Sequence, residues 1–135
     1  MIDACRVLMV FPRFNASSFW NYQETCDLTN ALYPAAPLGL ITVAALLPKN
    51  WEIRLVNRNT EQLDDADFGW ADIVMTGGML PQRNDALHII EMCRALGKAV
   101  VIGGPDVTSS PHLYSAANFQ VLGEAEEIMI DFITA

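Results

Sequence analysis

The chain has 135 residues, 52% hydrophobic and 18% charged, a composition that supports one globular core rather than a disordered chain. Eight Lys and Arg against sixteen Asp and Glu give a net charge of −8, with the basic residues scattered, which speaks against nucleic acid as a partner. No run approaches the roughly 18 apolar residues that span a bilayer, Met1-Ile2-Asp3-Ala4 does not start a secretory signal, and Cys5, Cys26 and Cys93 form neither a CxxC pair nor a zinc spacing, all of which fits a reducing cytoplasm.

Taken in chain order, residues 5–11 (CRVLMVF) are a nearly continuous apolar run, the mark of a strand covered on both faces. Residues 38–47 (LGLITVAALL) read as a helix that is apolar nearly all round, so deep burial is expected. Pro37 opens that helix and Pro48 stops it. Gly39, Ala44 and Ala45 would let it approach a sheet closely. Residues 52–57 (EIRLVN) alternate more clearly, as a strand. The link 62–69 is short, acidic and only weakly helical. A third strand is expected at 72–76, and a helix at 82–96 with the apolar face Ala86, Ile89, Ile90, Cys93 and Leu96, capped by Gly97. Strands at 99–103 and 119–122 follow. A last helix at 124–133 opens on Glu124, Glu126 and Glu127 and carries the stripe Ala125, Ile128, Met129, Phe132 and Ile133.

Five strands joined by helical crossovers imply one domain over 1–135 with a parallel sheet and helices on both faces. The most economical arrangement is a flavodoxin-like (Rossmann-like), doubly wound, three-layer α/β/α fold with strand order 2-1-3-4-5. Such sheets bind ligands outside the carboxyl ends of their strands. The loops to inspect therefore follow Phe11, Asn57, Thr76, Ile102 and Leu122.

The first of these loops, 12–37, is far longer than the roughly 2–6 residues usual for a strand-to-helix link, and it carries Phe14, Phe19, Trp20, Tyr22 and Tyr33. It is either functional or a self-packed surface loop. After the third, fourth and fifth strands come Thr76-Gly77-Gly78, Gly103-Gly104-Pro105 and Gly123-Glu124. Glycine can serve turn geometry alone. Three such loops side by side also make a floor where a flat or bulky ligand meets bare backbone. The dinucleotide GxGxxG, the P-loop and the acids of a phospho-acceptor receiver are missing from their required places, and Asn15-Ala16-Ser17-Ser18 is a poor version of a flavodoxin phosphate loop. No catalytic set stands out. His88 reads as half of a solvated pair with Glu91, His112 as a surface histidine or a ligand-facing polar group, and Ser109 and Ser110 as turn and cap residues before Pro111. Glu124, at a strand end on the binding edge, is either a helix cap or a functional acid.

In this order and spacing, RVLMVFP, PLGLITVAALLP, WEIRLVNRN, ADIVMTGGM, VVIGGPDVT and VLGEAEE resemble the N-terminal domain of cobalamin-dependent radical S-adenosylmethionine enzymes. The resemblance covers nearly the whole chain. It implies a cobalamin-binding domain in which Gly103, Gly104 and Pro105 line the nucleotide tail of the cofactor. Thr76, Gly77 and Gly78 would flank that tail, and Gly123 and Glu124 would close the far side. It also implies a methyltransferase as parent, with a downstream radical domain as partner that supplies S-adenosylmethionine and a 4Fe-4S cluster.

Residues 12–18 (PRFNASS) depart from the DxHxxG motif of methionine-synthase-like domains, so no histidine from there would ligate cobalt. The CxxxCxxC of the radical cluster is absent too, so this chain alone is expected to have no turnover. The alternatives are a degenerate, non-binding scaffold domain of such an enzyme or a free-standing small-molecule sensor. On this reading Gly104→Val should abolish cobalamin binding and leave the fold intact. Apolar surface on the 12–37 loop and the last helix should make the isolated domain prone to form a homodimer.

Overall fold

The computed structural model describes residues 3–15 and 37–134. Five strands, β1 (Arg6–Phe11), β2 (Glu52–Asn57), β3 (Ile73–Gly77), β4 (Ala99–Gly103) and β5 (Phe119–Val121), form one sheet. All pairings are parallel, and the order is β2-β1-β3-β4-β5, as the sequence pattern requires. The long helices are α1 (Leu38–Leu46), α3 (Arg83–Ala95) and α5 (Ala125–Thr134). The short ones are α2 (Asp65–Trp70) and α4 (Pro105–Ser109).

The two-residue period of the strands divides the core into two layers. Leu8, Val10, Val74, Val100 and Ile102 point to one face, where they meet Phe68 of α2, Ala86, Ile89, Ile90 and Cys93 of α3, and Val107 and Tyr114 beyond β4. Val7, Met9, Phe11, Met75, Val101 and Val121 point to the other, against Leu40 of α1 and Met129 of α5. This explains the unbroken apolar run of β1, which is buried on both sides, and the alternation of β2, which is an edge strand. On β2 the outward Arg54 lies over the Trp70 ring at 4.1 Å. The stripe read on α3 forms as expected except at Leu96, which is exposed just past its end. Gly97 takes φ +68 and ends the helix, with its amide donating to the Arg94 carbonyl at 3.2 Å. Burial in this layer pushes the Cys93 thiol up to about 11, which keeps it protonated and inert.

Three expectations are corrected. First, α1 is not deeply buried. Leu40 is its only buried residue, while Leu38 is 68% and Ile41 50% exposed. The sheet and α5 together cover only part of this helix, so an all-round apolar sequence leaves an apolar outer face. Second, part of the acidic link at 62–69 is a true helix. The Asp64 carboxylate accepts from the Asp67 amide at 3.2 Å and the Asp67 carboxylate from the Asp64 amide at 3.0 Å. That reciprocal cap contributes about 1 kcal/mol, and Phe68 anchors the turn in the core. Third, the stretch after β4 is helical over Pro105–Ser109 and again, as a 3-10 turn, over Pro111–Tyr114. Ser110 does sit before that turn, but its side chain makes no cap hydrogen bond.

Of the long aromatic loop, Phe14 packs edge-on against Phe11 with ring centroids 5.8 Å apart. Phe19, Trp20, Tyr22, Tyr33 and Cys26 lie outside the described residues. Among the described residues, no helix is long and apolar enough to cross a membrane.

Candidate functional site: the carboxyl edge of the sheet

The strand register places Gly77 beside Gly103, and Gly103 beside Val121, so the ends of β3, β4 and β5 form one row. A Cβ on Gly77 would run into the carbonyl of Gly103. One on Gly103 would lie 3.2 Å from the Val121 carbonyl oxygen, and one on Gly104 3.0 Å from both the amide nitrogen and carbonyl oxygen of Gly78. One on Gly78 would strike the Gln82 side chain. Backbone therefore packs on backbone between the β3 and β4 loops. Gly104 also takes φ +106 with ψ 177, a region that essentially only glycine visits. Gly123 has φ +89 but open space where a Cβ would stand.

The structure brings Thr76, Gly77, Gly78, Gly103, Gly104 and Pro105 together, with Pro105 as the first residue of α4. Thr76 is buried and its hydroxyl donates to the Val10 carbonyl at 2.7 Å, so it locks β3 to β1. Gly123 is tied to the row through Thr108, whose hydroxyl accepts from the Gly123 amide at 3.0 Å and donates to the Gly104 carbonyl at 3.0 Å. Glu124 is exposed and its carbonyl accepts from the Glu127 amide at 3.2 Å, the start of α5. Exposed Met79, Leu80 and Leu122 flank the bare backbone.

Polar residues that the glycine pattern did not reveal hold this edge in shape. The Pro12 carbonyl, where the first loop leaves β1, accepts from Asn59 Nδ2 at 3.1 Å and from Gln82 Nε2 at 2.8 Å. Gln82 Oε1 in turn accepts from the Met79 amide at 3.0 Å. Arg58 makes a two-pronged ion pair with Asp85, at 2.8 and 3.1 Å, and Asp85 also accepts from the Arg13 amide at 2.8 Å. On the β4 side, Arg83 grips Asp106 at 2.8 and 2.7 Å, and the Tyr114 hydroxyl donates to the same carboxylate. The available signal was polar residues crowded directly after strands or at a helix start, as in Asn57-Arg58-Asn59 and Gln82-Arg83.

The Arg83 guanidinium holds the Asp106 carboxyl below its usual range, burial opposes it, and the Tyr114 hydroxyl helps. Tyr114 is pushed up, first by burial and then by the Asp106 carboxylate. The stability contributed by Asp106 is therefore complete above the ordinary carboxylate value of about 3.9 and is lost as pH falls below that through the depressed folded value. Acid denaturation of wild type and Asp106→Asn should show a steeper loss below about pH 4 in the wild type. Parallel acid limbs in the two proteins would contradict this pairing.

A family model described as the B12 binding domain matches residues 25–133. The chain belongs to the B12-binding domain family. An uncharacterized methyltransferase of Synechocystis is 39% identical over 132 residues, covering 96% of this chain and 24% of that protein. The hopanoid C-2 methylase of Rhodopseudomonas palustris is 35% identical, over 88% of this chain and 23% of its own. The bacteriochlorophyllide d C-12(1)-methyltransferase of Chlorobaculum tepidum is 27% identical, over 80% and 25%. The chain thus spans about a quarter of the length of the curated relatives it matches. At the carboxyl edge the ends of β3 and β4 and the loop after β5 carry glycine, rimmed by exposed apolar residues.

Proposed function

We propose that this domain holds cobalamin along the ends of β3, β4 and β5 for a longer radical S-adenosylmethionine methyltransferase. The observation that carries the reading is the glycine row in register across β3 and β4, joined to the β5 loop through Thr108. Gly77, Gly78, Gly103, Gly104 and Pro105 would give the nucleotide tail a backbone surface to lie on. Gly123 and Glu124 would close its far side, and Thr76 would keep β3 in place beneath it. Met79, Leu80 and Leu122 would shield the apolar parts of the ligand from water. Bound cobalamin supplies a transferable methyl group, while S-adenosylmethionine and a 4Fe-4S cluster would belong to a downstream domain. With PRFNASS at 12–18, this domain would leave cobalt without a histidine ligand from that loop. The three thiols would stay reduced in the cytoplasm. Separated from its longer protein, the domain would expose the outer face of α1 and Ile130, 70% exposed on α5, to a second copy.

One observation favours the non-binding scaffold. Gly77, Gly103 and Gly104 are required by backbone packing, so they would persist in a domain that no longer binds. Titration of the isolated domain and of the longer protein with hydroxocobalamin and methylcobalamin, read by visible absorbance and calorimetry, separates the two. Saturable binding in either supports the carrier. Absence of binding in both, at high micromolar cofactor, leaves the scaffold.

A further inference from the structure

We infer that Thr108 and Asp106, two residues apart on α4, are positioning residues that fix the three glycine loops relative to one another, and that Thr108 in particular sets the far wall of the ligand groove. The inference rests on the cobalamin reading for the identity of the ligand. It rests on geometry for the role.

Helix α4 has five residues, too few to be stable by itself. Its place is set by what its side chains hold. Asp106 faces inward and fastens the helix to Arg83, at the head of α3, and to Tyr114. Its amide points at the Gly78 carbonyl at 3.5 Å, a long contact between the β4 and β3 loops. Thr108 faces outward. One hydroxyl accepts from Gly123 in the β5 loop and donates to Gly104 in the β4 loop, both at 3.0 Å. The Thr108 amide also donates to the Gly104 carbonyl at 3.0 Å, which fixes the residue against that turn. A hydroxyl supplies the one donor and the acceptor lone pair that this double bridge needs, and a methyl group supplies neither.

The two residues differ in what their loss would do. Asp106 is buried, and removing it strands Arg83 and Tyr114. Thr108 is exposed, so Thr108→Val keeps the shape and leaves both core layers untouched. Thr108→Ser keeps the hydroxyl and serves as the conservative variant.

The test uses the full-length protein as wild type, Thr108→Val and Thr108→Ser, titrated with cobalamin and with cobinamide, which lacks the nucleotide tail. Wild type should prefer cobalamin. Thr108→Val should lose up to about tenfold of that preference, the limit reached if the roughly 0.7 kcal/mol of each missing bond must be repaid to order the wall when the tail binds, and Thr108→Ser should retain it. Thermal melts should stay cooperative in all three, with Thr108→Val lower by only a few degrees, the cost of its two lost bonds. A Thr108→Val protein with undiminished preference overturns the inference, and so does an equal loss for both ligands, which marks a general defect. Hydrogen exchange without ligand gives an independent reading. The Gly123 amide should be protected in wild type and in Thr108→Ser and fast in Thr108→Val; similar exchange in all three overturns the inference. If that pattern is seen while wild type shows no preference for cobalamin over cobinamide, the bridge stands and the placement of the tail falls.

Discussion

Gly104→Val will destabilise the domain, not merely empty its site. At φ +106 and ψ 177, any residue with a side chain carries strain of about 1–3 kcal/mol. The first side-chain carbon would also stand 3.0 Å from the amide nitrogen and carbonyl oxygen of Gly78, which are backbone of a neighbouring loop and cannot swing aside. Valine adds two methyl groups to that contact. Against a native margin of about 5–15 kcal/mol, a combined cost of roughly 4 kcal/mol removes much of the stability. The expected result is a fall in melting temperature of about 10 °C or more by circular dichroism. Gly39→Ala is the control. It lies on the exposed side of α1 with no atom within 4 Å of the new Cβ, so it should leave the melt unchanged or raise it slightly. A Gly104→Val protein that melts with wild type would show that the β3 and β4 loops part easily. The glycine would then be there for a ligand alone. The sequence-based expectation of a folded but non-binding variant is thus replaced, and Thr108→Val becomes the better probe of the site.

That replacement shows where legibility ended. The five strands and their order could be read because apolar runs of four to seven residues between turn signals leave few parallel arrangements. The stripe of α3 could be read because it repeats over three turns, and Gly97 because a helix end wants a positive φ. Helices α2 and α4 could not. Six or five residues hold too few turns for a period, and what forms these helices is a cap between Asp64 and Asp67 or bonds from Asp106 and Thr108 to distant partners. The error on α1 has a different source. Composition says that a helix is apolar, not how many sides are covered. At the site, the glycines were visible but their cause was not, because the carbonyl that excludes a side chain at Gly77 comes from Gly103 on another strand. Asn59, Gln82 and Asp85 were missed for the same reason. Their partners at Pro12 and Arg13 lie 47, 70 and 72 residues away in sequence.

Asp85→Ala should be the other severe substitution. The Arg58 side chain is 8% exposed and that of Asp85 13%, and their pairing is two-pronged. Removing the carboxylate leaves a guanidinium with little water and no counter-ion, a loss of about 3–5 kcal/mol for a pair of this burial. It also removes the acceptor of the Arg13 amide. The ion pair joins the end of β2 to the first turn of α3, and the Arg13 bond adds the exit of β1. Its loss should therefore loosen the start of the long loop as well as lower the urea midpoint. Hydrogen exchange should show the Arg13 amide becoming fast in Asp85→Ala well before the β1 core does. The double replacement Arg58→Met with Asp85→Leu should recover most of the midpoint, because two apolar side chains fill the volume without stranding a charge. It should not recover protection at Arg13, since no acceptor returns. An unchanged midpoint in Asp85→Ala would mean that water reaches Arg58 freely. Recovery of both midpoint and protection in the double variant would mean that packing, not the carboxylate, holds the β1 exit against α3.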